Sequence, residues 1–287
     1  MSPVDPIYVE ARRVLLDALV ALAPHRSAFV VAGAQAVYLR AGESDLALAP
    51  YTTDGDLALD PTALAPDPAI EAVMRGAGFE LSTEPGIWVA QAVIADTPIT
   101  IPIDLIVPEG FAPPGGRRGA RLGPHGNRAA RRAVGLEAAL VDKDPMPITA
   151  LDPADQRAVT VDVAGVAALL VAKAHKLHDR VERGRANRLD DKDAADVFRM
   201  MQVTSPDTVG ATLAELAGHA VAGPATAAAV EYLDELFGRR GRVGITMASR
   251  ALQGSIPEER VVAICVAYTA RVLAATSQPP NGDGSSR

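Results

Sequence analysis

Apolar residues recur at helical spacing across residues 6–23, at Ala11, Val14, Leu15, Ala18, Leu19 and Leu22, and predict an amphipathic helix. Ala28-Phe29-Val30-Val31-Ala32 then reads as a buried strand, Gly33 as a tight turn, and the chain from Ala34 as a second helix. Asp54 to Leu59 is strand-like. Pro68 to Gly76 reads as a short helix, since proline is tolerated in a first turn. Strands are predicted at Phe79-Glu80-Leu81, Ile87-Trp88-Val89-Ala90, Ile99 to Val107, Val134 to Val141 and Ala158 to Val163. Residues 110–128, rich in Gly, Pro and Arg, predict a loop. After Asp162 helical periodicity dominates, over 163–182, 190–202, 206–220, 224–237 and 257–276. The tail 277–287 is polar and rich in Gly, Ser and Pro, which predicts disorder. The expected fold is an α/β N-terminal domain with a mixed sheet, residues 1–162, joined to an all-α domain, residues 163–276, that completes a cleft.

Composition narrows the setting. A chain of 287 residues buries a sizeable core, and 48% hydrophobic with 22% charged residues is ordinary for a globular protein. Apolar runs are too short to cross a membrane, and the first residues lack the basic-then-apolar order of a secretion signal. The lone Cys265 sits in an apolar helical pattern and reads as a buried small hydrophobe; one cysteine forms no internal disulfide and fits a reducing cytoplasm. The net charge of −7 disfavours nonspecific binding of nucleic acid by the whole surface, while leaving room for a local basic patch.

Against that background the acidic strands stand out. Asp54 and Asp56 lie two apart, so on a strand both point to one face while Gly55, Leu57 and Leu59 turn to the core. Asp104 lies in another apolar run, between Ile103 and Leu105. If these strands pair, the carboxylates converge and repel, and a divalent cation such as Mg²⁺ (or Mn²⁺) relieves the repulsion. The bland alternative is strand-end and turn residues, since Thr53-Asp54-Gly55 is good turn chemistry. A glycine at position 33 lets backbone amides approach a phosphate at a helix N-terminus.

Further clusters follow. Lys173, Lys176 and Arg180 share one helical stripe, suited to a triphosphate or to a solvated face. His175 and His178 have the spacing of a metal pair but no third ligand nearby. Asp193 and Asp196 share a helix face, and Asp190 or Asp191 is a candidate N-cap. Arg117, Arg118, Arg121, Arg128, Arg131 and Arg132 form a basic segment that suits RNA, or a loop docked on the acidic face.

Together these motifs resemble the nucleotidyltransferase toxins of type IV toxin–antitoxin systems, the AbiEii-like or MenT-like group of polymerase-β-type nucleotidyltransferases. Gly33-Ala34 resembles the family's glycine turn, and Asp54-Gly55-Asp56-Leu57 its Asp-x-Asp strand. Lys173 to Arg180 resembles its basic helix, and Lys192-Asp193-Ala194-Ala195-Asp196-Val197 its Lys-Asp-x-x-Asp-Leu helix. The chain departs at Ala34, which lacks the serine hydroxyl, at Ala174 and Lys176, and in lacking the arginine two before Lys192, with Arg188 nearby. The resemblance implies a polymerase-β-like catalytic domain that transfers a nucleoside monophosphate from an NTP to an RNA acceptor such as the 3′ end of tRNA, with a cognate antitoxin as partner. It implies that Asp54 and Asp56 bind metal, that Lys173 binds nucleotide and that Asp193 assists catalysis, and the convergence of the acidic strands adds Asp104 to the metal-binding, catalytic set. The nucleotide would lie against Gly33, Ala34, Thr53, Lys173, Lys176, Arg180 and Asp196. The competing functions are a small-molecule nucleotidyltransferase of the aminoglycoside-modifying type and a non-catalytic relative that binds nucleotide or a protein.

Overall fold

In the computed structural model, residues 4–42, 52–115, 118–184 and 191–277 are described. Helix α1 (Pro6–Ala21) begins where the Asp5 carboxylate accepts the Ile7 amide and buries Val14, Leu15 and Leu19. Strand β1 (Phe29–Ala32) is buried throughout and runs into α2 (Gly33–Ala41). Then follow β2 (Gly55–Leu59), α3 (Ile70–Gly76), β3 (Glu80–Leu81), β4 (Ile87–Ile94) and β5 (Thr97–Pro108). After the arginine-rich segment come β6 (Arg131–Ala133), β7 (Lys143–Thr149) and β8 (Ala158–Ala164).

One mixed sheet results, in the order β3-β4-β5-β2-β1-β8-β7, with β6 beside the end of β5. β2 runs antiparallel to β1 and parallel to β5, and β8 runs parallel to β1. Gly55 leaves room on one face: a Cβ there would stand 2.8 Å from Ile103 and 3.3 Å from Leu15 of α1. Helix α1 therefore covers the face of Gly55, and Asp56 points to the opposite one.

The remaining helices are α4 (Val166–Glu182), α5 (Asp191–Val203), α6 (Pro206–Ala217), α7 (Gly223–Phe237), α8 (Val243–Ala251) and α9 (Glu258–Thr276). α4 and α5 pack on α2, while α6 to α9 pack behind them. A continuous set of buried apolar side chains runs from Tyr8 in α1 to Val272 in α9, joining sheet and helices. No helix of the described residues is long and apolar enough to cross a membrane.

Three segments differ from the sequence reading. Val134 to Val141 is not a strand. Gly135 takes a positive φ of 95°, and residues 137–140 form a short 3₁₀ turn. The buried Glu137 carboxylate accepts the Gly135 amide at 2.7 Å and the Gly110 amide at 3.2 Å, so a side chain supplies bonds that a ladder would have made. Conversely β7 is a strand despite Pro145 and Pro147. It lies at the sheet edge, where a missing N–H costs nothing on the open side. Helix α8 was also unforeseen. The expected tail from Gln278 onward lies outside the described residues.

Candidate active site

The sheet assembles the acidic side. Ala32 of β1 registers with Asp56 of β2, and Asp56 registers with Asp104 of β5. Gly33 follows Ala32 directly, with φ +63°, and a Cβ at Gly33 would stand 1.9 Å from Asp56 Oδ2. The Asp56 carboxylate thus occupies the space that only glycine leaves open. Asp54 precedes β2, and the buried Thr52 hydroxyl donates to its Oδ1 at 2.5 Å. Burial, the nearby Asp54 and then Asp104 push the Asp56 carboxyl up to about 6, against the opposing cations Lys176 and Arg131. Helix α2 starts beside this carboxylate, and its N-cap residue, Ala32, makes no side-chain bond to the first amides.

Helices α4 and α5 bring the second set of charges. The start of α4 is fixed from the sheet side: Gly165 donates to the Asp142 carbonyl at 2.8 Å, and the Asp142 carboxylate accepts the Ala168 amide at 3.0 Å. A side chain on Gly165 would collide with Asp142, 2.0 Å away. Lys173 is then buried, and its ammonium donates to Asp193 at 2.5 Å and Asp196 at 2.7 Å. Arg180 also reaches Asp193, and Lys176 lies 3.3 Å from it. Burial works to raise the Asp193 carboxyl, but Lys173, Lys176 and Arg180 prevail and hold it far below the usual range. Lys192, at the start of α5, donates to the Thr52 hydroxyl at 3.1 Å. Burial pulls its ammonium below its usual range, against the pull of Asp54 and Asp196. Asp191 is not a cap: its buried carboxylate takes a two-pronged bond from Arg250 of α8, at 2.8 and 2.7 Å. Asp190 and Arg188 lie outside the described residues.

The arginine segment is mostly spoken for. Arg131 donates to Asp104 Oδ2 at 2.7 Å. Arg132 grips Glu109 with two bonds and the Gly115 carbonyl with a third. Arg128 holds the Ser82 and Thr83 carbonyls at 2.9 and 3.0 Å. Arg118 and Arg121 are exposed, Arg118 lying 3.7 Å from Glu84. Arg117 lies outside the described residues.

The expected residues therefore divide. Gly33, Asp56 and Asp104 are brought together, with Asp54 and Lys176 in electrostatic reach of Asp56. Ala34 is buried in the first turn of α2, and Thr53 is exposed. Lys173 and Asp196 are consumed by each other rather than turned outward, because an ammonium this deep needs its carboxylates. Thr52 and Lys192 join the acidic side, although the sequence assigns no role to Thr52 and quotes Lys192 only within the α5 motif. The signal available was the Thr52-to-Asp54 spacing and the position of Lys192 one residue before Asp193. His175 and His178 are engaged within the helices: the His175 Nε2–H donates to the Ala225 carbonyl at 2.8 Å, and His178 stacks on Tyr232 at 3.7 Å. Cys265 is buried, and that burial pushes its thiol up to about 12, as befits an inert core residue.

Among the described residues no group of three or more His, Cys, Asp or Glu side chains is arranged to hold a metal ion. The carboxylates of Asp54, which precedes β2 rather than lying on it, Asp56 and Asp104 are thus not a ready cage, and one oxygen of Asp104 is taken by Arg131. The donors still suit Mg²⁺ or Mn²⁺. They are all oxygens, Asp56 is a carboxyl whose charge the site strains to hold, and such ions commonly take one or two carboxylates plus substrate phosphates. In comparisons with known proteins, the chain matches no family model and no curated relative.

Proposed function

We propose that the protein is a nucleotidyltransferase dependent on Mg²⁺ or Mn²⁺, moving a nucleoside monophosphate from an NTP to an acceptor with pyrophosphate leaving. One observation carries this reading. The glycine turn opening α2, Asp56 and Asp104 stand side by side on adjoining strands, with Lys176 of α4 within electrostatic reach. On this reading the first amides of α2 receive phosphate oxygens, as a helix N-terminus readily does. Asp54 and Asp56 hold the ion. When bound, the ion neutralises phosphate charge and favours the attacking oxygen. Lys176, half exposed and in electrostatic reach of Asp56, supplies positive charge to the same phosphates. Lys173 acts from behind, fixing Asp193 and Asp196 and so the angle between α4 and α5.

The resemblance extends the reading to an RNA acceptor, a tRNA 3′ end, and to the toxin of a toxin–antitoxin pair in the cytoplasm. Among the described residues of the basic segment, Arg118 and Arg121, both exposed and the former paired only at the surface with Glu84, are the arginines placed to meet that acceptor. One observation favours the second reading, a small-molecule acceptor: Arg128, Arg131 and Arg132 are engaged within the protein, which shrinks the basic patch. The test is incubation of purified protein with each α-labelled NTP, Mg²⁺ and total RNA. Label in the tRNA band, lost in Asp56→Ala, is the expected result. Label only in an added aminoglycoside selects the second reading, and label in neither overturns both.

A further inference from the structure

Among the described residues of the basic segment, Arg131 is the one that reaches the strand carboxylates, and its placement is tightly determined. β6 pairs with β5 so that Arg131 sits opposite Ile106, two residues beyond Asp104. Its backbone lies against Gly86, where a Cβ would stand 2.3 Å from the Arg131 amide. The neighbouring Arg132 amide donates to the Arg118 carbonyl at 2.8 Å, and Arg128 and Arg132 clamp the flanking loops. From that position the guanidinium donates to Asp104 Oδ2 at 2.7 Å and lies in electrostatic reach of Asp56. Arginine holds a carboxylate well, but a phosphate equally well or better, by the same fork of N–H donors.

We propose that Arg131 is an internal counter-cation. It occupies the Asp104 side of the cluster, so the nucleotide-free protein takes a divalent ion through Asp54 and Asp56 alone. An arriving triphosphate draws the guanidinium to itself and frees Asp104 to join the ligand set. Arg131 is in this sense a positioning residue that couples ion binding to the presence of nucleotide. The inference rests on the reading of the carboxylates as a divalent-ion site, and its test does not use turnover.

Free Mn²⁺ is followed by electron paramagnetic resonance as it is titrated into the full chain, with and without a non-hydrolysable α,β-methylene NTP. Without nucleotide, Arg131→Gln should bind Mn²⁺ at least about tenfold more tightly than wild type. That is the scale set by removing a unit charge several ångströms away at an effective dielectric of about 20. Arg131→Lys, which keeps the charge, should stay near wild type, and so should Arg118→Gln. With the analogue present, wild type and Arg131→Gln should converge. A second measurement stands independently of how Arg131→Gln folds. Asp104→Asn should change nucleotide-free Mn²⁺ affinity far less than Asp54→Asn or Asp56→Asn does. Equal affinity in wild type and folded Arg131→Gln, an equal effect of Arg118→Gln, or an Asp104→Asn loss as large as that of Asp56→Asn overturns the inference, as does absence of Mn²⁺ binding throughout. If Mn²⁺ behaves as expected but no NTP is consumed, the transfer reading fails and the coupling stands.

Discussion

Asp56→Asn should stabilise the protein while removing transfer. The Asp56 carboxyl rises from an ordinary 3.8 to about 6, through burial first, then Asp54 and Asp104. A carboxyl harder to ionise in the folded chain than in the unfolded one leaves the folded state holding more protons between those two values. Stability therefore falls as pH rises from 3.8 to about 6, and above that the deficit is constant. At ~1.36 kcal/mol per pH unit the full deficit is about 3 kcal/mol. Asparagine keeps the size of the side chain and drops the charge, so the variant escapes the deficit. Urea denaturation in EDTA should show Asp56→Asn gaining about 3 kcal/mol near pH ~8 and only about 1 kcal/mol near pH ~4.5, where the native carboxyl is already largely protonated. A gain equal at both pH values would place its cause in packing or in the unfolded chain. No gain at the higher pH would refute the account of Asp56 as a strained anion.

Gly33→Ala should lose about 1–2 kcal/mol to the left-handed backbone alone and more to the collision with Asp56 Oδ2; adding Asp56→Ala should restore the collision part in urea melts, and a double variant no better than the single would show that the two do not touch. Lys173→Met leaves Asp193 and Asp196 without their central cation and should cost about 3–5 kcal/mol; a loss under about 1 kcal/mol would mean that Lys176 and Arg180 suffice. Glu137→Ala strips two backbone amides of their acceptor and should cost about 2–4 kcal/mol. Hydrogen exchange should then quicken at Gly110 and Gly135, and unchanged protection at both would count against Glu137 as the residue that orders this loop.

What could be read in the sequence follows the physics of short range. The face shared by Asp56 and Asp104 was legible because strand side chains alternate, and a glycine turn after Ala32 needs no distant partner. The acids and bases of α4 and α5 were legible as stripes for the same reason. What each charge touches was not. Arg131 reads as part of a basic loop, yet its partner lies 27 residues away on a neighbouring strand. Lys173 reads as an exposed phosphate ligand, yet the packing of α4 on α5 seals it against two carboxylates. β7 hides behind prolines that only an edge position permits, and the 134–141 segment has a strand's composition but a Glu137 side chain that claims the backbone amides first.

The two acidic groups differ in a way that bears on which of them is the working centre. Burial alone disfavours a charged carboxylate at both Asp193 and Asp56. For Asp193 the fold supplies Lys173, Lys176 and Arg180, and the carboxyl ends far below its ordinary range, as in an ion network built for cohesion. For Asp56 the fold supplies further acids, and Lys176 and Arg131 leave its carboxyl at about 6. A chain selected for stability alone would gain by replacing Asp56 or by placing a cation against it, and Gly33 shows that room was instead kept for its carboxylate. Charge only partly compensated and held in place by a dedicated glycine is what the proposed site for an external cation requires. A purely structural cluster has no use for it, and the sign of the Asp56→Asn effect decides between the two.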